Sequence, residues 1–293
     1  MVESFLRYLR YEKRYSDHTI LSYQNDLNQL QNFLDSEFPD APIIEVNHSI
    51  LRSWLINLSE SSLSPRSINR KIISIRSFYK FLVKKEVIST NPASKLSMLK
   101  ASKKLPYFVR HDEIISLLDK KVFTDSFEDQ RDRLILELLY GTGIREAELI
   151  NLKEKDIDFL NQQIKVLGKR NKERIIPVTR QMTDLIKIYL QKKKESHEGN
   201  DGKYLIVTNK GNKSYPMFIY RIVNNYLKSF TNVEKTSPHV LRHTFATHLL
   251  NKGADLNSVK DLLGHQSIAS TQIYTHNTLD QLKKIFEQAH PKA

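Results

Sequence analysis

Gln163-Ile164-Lys165-Val166-Leu167-Gly168-Lys169-Arg170-Asn171-Lys172-Glu173-Arg174-Ile175-Ile176-Pro177-Val178 is the stretch that decides the fold. Helical spacing gives way here to two short runs, 163–167 and 173–178, that read as β-strands. Between them Gly168-Lys169-Arg170-Asn171-Lys172 combines a glycine with three cations, so the segment reads as a β-hairpin with a basic tip. One hairpin in a chain of mostly helical signals predicts a mainly α fold with a small antiparallel β-sheet in the C-terminal half.

Immediately upstream, a helix through Leu134 to Tyr140 breaks at Gly141-Thr142-Gly143, and another starts at Arg145. Further back, beyond Asn91-Pro92, residues 94–106 are polar and basic with weak periodicity and read as a linker. With 293 residues and domains of about 100–200 residues each, the expected division is 1–100, a linker over 101–106, and 107–293. In the first hundred residues Ser16 caps a helix whose Ile20, Tyr23, Leu27, Leu30 and Leu34 recur at helical spacing. A second helix begins near Asn47, and Ser64-Pro65 announces a third, a cap followed by proline at the first helical position.

That third helix carries Ile68, Ile72, Ile75 and Leu82 on one face, and Arg66 and Arg70, then Arg76, Lys80 and Lys84, on another. From Arg66 to Lys104 there are eleven Lys and Arg residues against one acid, Glu86. A solvated helix face normally mixes both signs. The imbalance, within a net charge of +13, points to a polyanionic partner, because cations gain free energy by releasing counterions condensed on phosphates. Nucleic acid is the first candidate, with double-stranded DNA the favoured reading for this helix face.

The absence of cysteine excludes disulfides, thiolate metal ligands and cysteine nucleophiles. No apolar run approaches the roughly 18 residues that cross a bilayer, and the first residues, MVESFLRYLRYEKR, lack the apolar core of a secretion signal. A cytoplasmic protein with no membrane partner is therefore expected.

Four segments carry candidate chemistry. Arg145 opens a helix after a glycine-rich break, where its guanidinium and the backbone N–H groups are placed to hold a phosphate; an ion pair with Glu148 is the plainer reading. His239 and Arg242, three apart, share a helix face as a titratable proton carrier and a permanent bidentate charge, although such pairs also decorate ordinary surfaces. His239 and His243 have a zinc-like spacing, but no HExxH glutamate and no cysteine accompany them. Leu263-Gly264-His265 is followed by Tyr274, whose phenol needs a positive surround or a base before it can attack at neutral pH; most tyrosines only pack.

Taken as a set, Arg145, Lys169, His239, Arg242, His265 and Tyr274 resemble the signature of the tyrosine recombinase family: two arginines, a hairpin lysine, two histidine positions and a late tyrosine, in this order. The ending, residues 285–293, looks like the Xer group within it, with Lys292 where many relatives carry arginine. The resemblance covers essentially the whole chain and implies a two-domain DNA clamp, with an N-terminal SAM-like core-binding domain and a C-terminal catalytic domain. It implies that Arg145, Arg242 and His265 hold the scissile phosphate, that Tyr274 attacks it, that Lys169 protonates the leaving 5′ oxygen, and that His239 assists proton transfer at the tyrosine. No cofactor, metal or ATP is implied.

Glu148 then reads as a buttress orienting Arg145, since a free carboxylate beside the phosphate would repel it. Lys172 and Arg174 read as DNA-backbone contacts near the hairpin tip, joining Arg66, Arg70, Arg76, Lys80 and Lys84. The apolar stripe Leu279, Leu282, Ile285 and Phe286 reads as a terminal helix that docks on its own domain or, as the resemblance implies, on a neighbouring protomer. The implied partners are a homo- or hetero-tetramer with a second recombinase on paired sites, and a septal DNA translocase, in service of chromosome partition at cell division. A type IB topoisomerase, a mobile-element integrase of the same class and a catalytically idle DNA-binding relative are the competing readings.

Overall fold

The computed structural model describes residues 1–102, 107–120, 123–168, 173–197 and 203–264, in two compact units, Met1–Lys104 and Leu105–Ala293.

The first unit is four helices: α1 (Val2–Tyr11), α2 (Asp17–Glu37), α3 (His48–Glu60) and α4 (Pro65–Lys84). Three have side-chain caps where the local sequence placed them. Ser16 accepts from the Thr19 amide, Asn47 from the Ile50 amide and Ser64 from the Ser67 amide, with Pro65 in the first turn of α4. Each satisfies an amide that has no partner within its helix, worth about 1 kcal/mol. The first helix, α1, was not anticipated. It has no side-chain cap and forms because Phe5 and Leu9, one turn apart, both enter the core. Phe5 meets Phe78 edge-on, with ring centroids 5.5 Å apart.

Beneath α4 lies a buried polar cluster. Asp26 of α2 is wholly buried and accepts from Lys71 Nζ at 2.8 Å, Ser74 Oγ at 2.7 Å and Arg70 Nη1. A charge out of water is tolerated only when paired and hydrogen-bonded, and here a single carboxylate holds three donors of α4.

In the second unit, α5 (His111–Ile115) runs on into a π-turn, followed by α6 (Phe127–Gly141) and α7 (Glu146–Asn151). Then come β1 (Ile157–Asp158), β2 (Gln163–Leu167) and β3 (Glu173–Pro177), and the helices α8 (Arg180–Ser196), α9 (Pro216–Phe230), α10 (Pro238–Asn251) and α11 (Leu256–Leu263). The core is built around α6, buried from Leu134 through Gly141 and packed against α8, α9 and α10. The helical fold with one small sheet is as the hairpin reading predicts; β1, only two residues long, is an addition.

The sheet is antiparallel in the order β1-β2-β3, with Ile164 opposite Ile176, Val166 opposite Arg174 and Leu167 opposite Glu173. Because side chains alternate across a strand, Ile164, Val166, Arg174 and Ile176 all face inward, while Lys165 and Glu173 pair on the outside at 2.8 Å. No described helix is long and apolar enough to cross a membrane.

Candidate active site

The site begins at the turn after α6. Gly143 takes φ +59°, and a Cβ there would lie 2.6 Å from both Leu263 Cδ2 and Phe245 Cδ1. Only glycine fits this backbone at this distance from α10 and α11. The turn delivers Arg145 to the start of α7, where the Arg145 amide donates to Glu148 Oε2 at 2.9 Å and its guanidinium Nη1 donates to Glu148 Oε1 at 2.8 Å. The carboxylate thus fixes both the backbone and the side chain of Arg145, which is partly exposed.

Glu148 is also held from the sheet. Arg174 of β3 donates from both terminal nitrogens, Nη1 to Oε1 at 2.7 Å and Nη2 to Oε2 at 2.8 Å, a bidentate fork. Burial alone would push the Glu148 carboxyl up, but the hydrogen bonds and charge of Arg174, with those from Arg145, hold it below the usual carboxylate range. It is therefore an anion in the folded protein at neutral pH.

Arg242, inside α10 and buried, completes the cluster. Its Nη1 donates to the Gly143 carbonyl and its Nη2 to the Leu263 carbonyl at 2.6 Å. Burial, then the charges of Arg145 and Arg174, push the guanidinium down to about 10, offset in part by Glu148. It is still protonated at neutral pH.

The end of α11 joins the same cluster. Its consecutive carbonyls each accept from a different arginine: Leu262 from Arg174 Nε at 3.3 Å, Leu263 from Arg242, and Gly264 from Arg145 Nη2 at 3.0 Å. The negative end of the helix dipole and the orphan carbonyls of its last turn are thereby met by cations. With Arg174 and Glu148 paired to each other, Arg145 and Arg242 give this cluster a net positive charge among the described residues, which suits the two non-bridging oxygens of a phosphodiester.

The residues expected at the site fall into three groups. The structure brings Arg145, Arg242 and Glu148 together. His239 lies in the first turn of α10, exposed, and His243 one turn on is pushed down by burial and by its neighbour His239. Lys169, Lys172, His265, Tyr274 and the terminal stripe 279–286 lie outside the described residues.

One of the expected DNA contacts needs correction. Arg174 is not at a surface: it is 5% exposed and its donors are committed to Glu148 and Leu262. Its proximity to the basic tip was misleading, whereas its parity with Ile176 on β3 was the usable signal, since residues two apart on a strand share a face. Arg70, though exposed, also pairs with Asp26 and Ser22 of α2, and the half-buried Arg76 donates to the backbone carbonyls of Ala93, Ser94 and Leu96. Arg66 and Lys80 are exposed, and Lys84, also exposed, lies 5.2 Å from the Tyr8 ring centroid.

Residues 2–86 match the phage integrase N-terminal SAM-like domain, and residues 108–281 match the phage integrase family. Over 295 aligned positions, covering the whole chain and 96% of the relative, the sequence is 40% identical to tyrosine recombinase XerC of Oceanobacillus iheyensis. The chain is a Xer-type tyrosine recombinase.

The same identity, 40% over 99% of the chain and 97% of the relative, holds against tyrosine recombinase XerC of Staphylococcus saprophyticus. This recombinase thus belongs to a family that cleaves and rejoins DNA strands, and its reaction is site-specific recombination. Its fold is that of the Tn1549 transposon integrase solved with transposon right-end DNA, at TM-score 0.71 and 21% identity over 97% of this chain and 98% of that one. It is equally that of the XerH recombinase solved with palindromic difH, at TM-score 0.71 and 22% identity over 97% and 82%.

Proposed function

We propose that this recombinase cuts one strand of double-stranded DNA at a dif-type site through a 3′-phosphotyrosyl link to Tyr274, and so resolves chromosome dimers. The observation that carries the catalytic part is the convergence of Arg145 and Arg242 around Glu148. Two guanidiniums, one fixed by a carboxylate and the other desolvated, are set for the non-bridging oxygens of a phosphate. Preorganised donors of this type act where charge develops, and losing one costs about 2.7–4 kcal/mol of transition-state stabilisation in a comparable oxyanion site.

In this reading Tyr274 attacks the phosphorus in line, and Arg145 and Arg242, with His265, stabilise the added charge. Lys169 gives its proton to the departing 5′ oxygen, and His239 moves the proton of the tyrosine. The bond energy stays in the phosphotyrosyl link, so the 5′ hydroxyl of a partner strand can reverse the step. Glu148 orients Arg145 without repelling the phosphate because its charge is already matched. The exposed Arg66, Lys80 and Lys84 of α4, with Lys172, meet the DNA backbone.

The Xer-type sequence supports the dif-type site and, with it, a tetramer of this chain, alone or with a second recombinase, on paired sites under a septal DNA translocase. A mobile-element integrase would use the same chemistry on a different DNA, and a two-site recombination assay with dif-type DNA separates the two.

The test is to incubate native protein and Tyr274→Phe with nicked dif-type duplexes without magnesium and look for an SDS-resistant protein–DNA adduct. An adduct with the native protein alone is expected; an adduct with both would mean another nucleophile, and none with either would remove the catalytic reading.

A further inference from the structure

We propose that Arg174 is a positioning residue of the recombinase site: it couples the β2–β3 hairpin to the Arg145 turn and to the end of α11, and it neutralises the carboxylate that orients Arg145. This rests on the roles given above to Arg145, Lys169 and His265.

Three segments that carry those residues meet at this one guanidinium. Arg174 leaves β3, whose hairpin leads back to Lys169. Its fork closes on Glu148, which holds Arg145. Its Nε reaches the Leu262 carbonyl, three residues before His265. The fit is close at Gly264. A Cβ on Gly264 would stand 3.1 Å from Arg174 Cδ and 3.3 Å from Nε and Nη1, and Gly264 sits at φ +62°, so a side chain there would meet both the arginine and an unfavourable backbone.

The electrostatics give the arrangement a purpose beyond packing. A carboxylate is the best anchor for Arg145, but alone it would cancel the charge of Arg145 and repel the phosphate. With the Arg174 fork against it, Glu148 keeps its acceptor geometry while its negative charge is balanced by a second guanidinium, which shares Oε1 with Arg145. The charge of Arg145 then remains for the DNA. Lysine at 174 would supply a charge but only a point contact, without the two parallel N–H groups or the Nε bond to Leu262.

Loss of such support costs rate by misplacing groups that touch the phosphate, and about 100-fold is the scale for a 1 Å misplacement. The full chain would be tested as native, Arg174→Lys, Arg174→Gln and Arg174→Gln/Glu148→Gln, on nicked duplexes. DNA affinity would be measured separately from the cleavage rate of bound complexes. Arg174→Gln is expected to bind DNA as native does but to cleave about 100-fold more slowly. The double variant is expected to cleave faster than Arg174→Gln, because no unmatched carboxylate is left beside the phosphate. As pH falls, cleavage by Arg174→Gln is expected to gain on that of the native protein, because Glu148 without Arg174 takes up a proton more readily, a pH inversion relative to the native protein that a purely structural role would not produce.

Weakened binding with unchanged cleavage of bound complexes would make Arg174 a DNA contact and overturn the proposal. A double variant no faster than Arg174→Gln, with no pH inversion, would overturn it in favour of packing alone. Should Arg174→Gln not fold, Arg174→Lys decides: slower cleavage at native affinity supports the proposal, and the native rate overturns it. A native protein that forms no adduct would overturn the functional reading itself and the proposal with it.

Discussion

Replacing Gly143 by alanine is the smallest change that reaches the whole site. The new methyl would lie 2.6 Å from Leu263 Cδ2 and from Phe245 Cδ1, well inside the 3.5–4.0 Å of an optimal carbon contact. Neither neighbour can retreat easily: Leu263 is 4% exposed and Phe245 wholly buried. The positive φ adds about 1–2 kcal/mol for any side chain, and overpacking a filled core costs about 1–3 kcal/mol. The sum is about 2–5 kcal/mol. For a domain of this size each kcal/mol moves Tm by about 2–4 °C, so a fall of about 4–20 °C is expected in a thermal melt.

The same displacement would move the Gly143 carbonyl that accepts from Arg242, and Leu263, whose carbonyl also accepts from it. Cleavage of a nicked duplex, assayed well below the melt, should therefore fall about 10- to 100-fold, because sub-ångström misplacement of a phosphate donor is costly. A variant that melts with the native protein and cleaves at the native rate would refute the argument that this turn must be glycine.

Three further outcomes are expected. Asp26→Asn would strand the buried Lys71 ammonium and release Arg70, costing about 3–5 kcal/mol in urea unfolding, as for a broken buried ion pair; a loss under 1 kcal/mol in the same experiment would contradict this. His248 lies against His111 and the Tyr140 hydroxyl, and burial, then the charge of His111, push it below its ordinary value of 6.5. The unfolded chain then binds the proton more readily, so this contribution to stability is full above pH 6.5 and is lost as pH falls through it; His248→Gln should melt with a shallower acid-side slope between pH 7.5 and 5.5, and an unchanged slope would argue against it. Removing the exposed Arg66 and Lys80 together should lower the slope of log affinity against log salt by about 1.8 if each meets a DNA phosphate, with no change in Tm; an unchanged slope would place the DNA elsewhere.

Local signals carried much of the fold. Ser16, Asn47 and Ser64 announce helix starts because a cap acts only three residues away, and the change of period at Gln163 marks the sheet. The first helix escaped notice because its stability comes from Phe5 and Leu9 meeting residues such as Phe78, far along the chain. Charge patterning does not reveal partners inside the fold. Arg70, Arg76 and Arg174 lie where a phosphate contact looked natural, yet their partners are Asp26, the carbonyls near Ala93, and Glu148. Such pairings join segments 17 to 48 residues apart and have no local trace. At the site itself, Arg145 and Glu148 are legible because the turn that joins them is short. The convergence of Arg242 on the same turn is a matter of tertiary packing.

The last turn of α11 has a consequence for how the protein opens. Its carbonyls are gripped by side chains from β3, α10 and the α7 start, so fraying of this helix end is resisted at each of its last three residues by a different guanidinium. Native-state hydrogen exchange should find the Gly264 amide, which donates to the Asp261 carbonyl at 2.9 Å, opening with the sheet and not as a separate terminus. The elements that carry Arg145, Arg174 and Arg242 would then come apart as a single cooperative unit, so a destabilising change in any one of them reaches all the others.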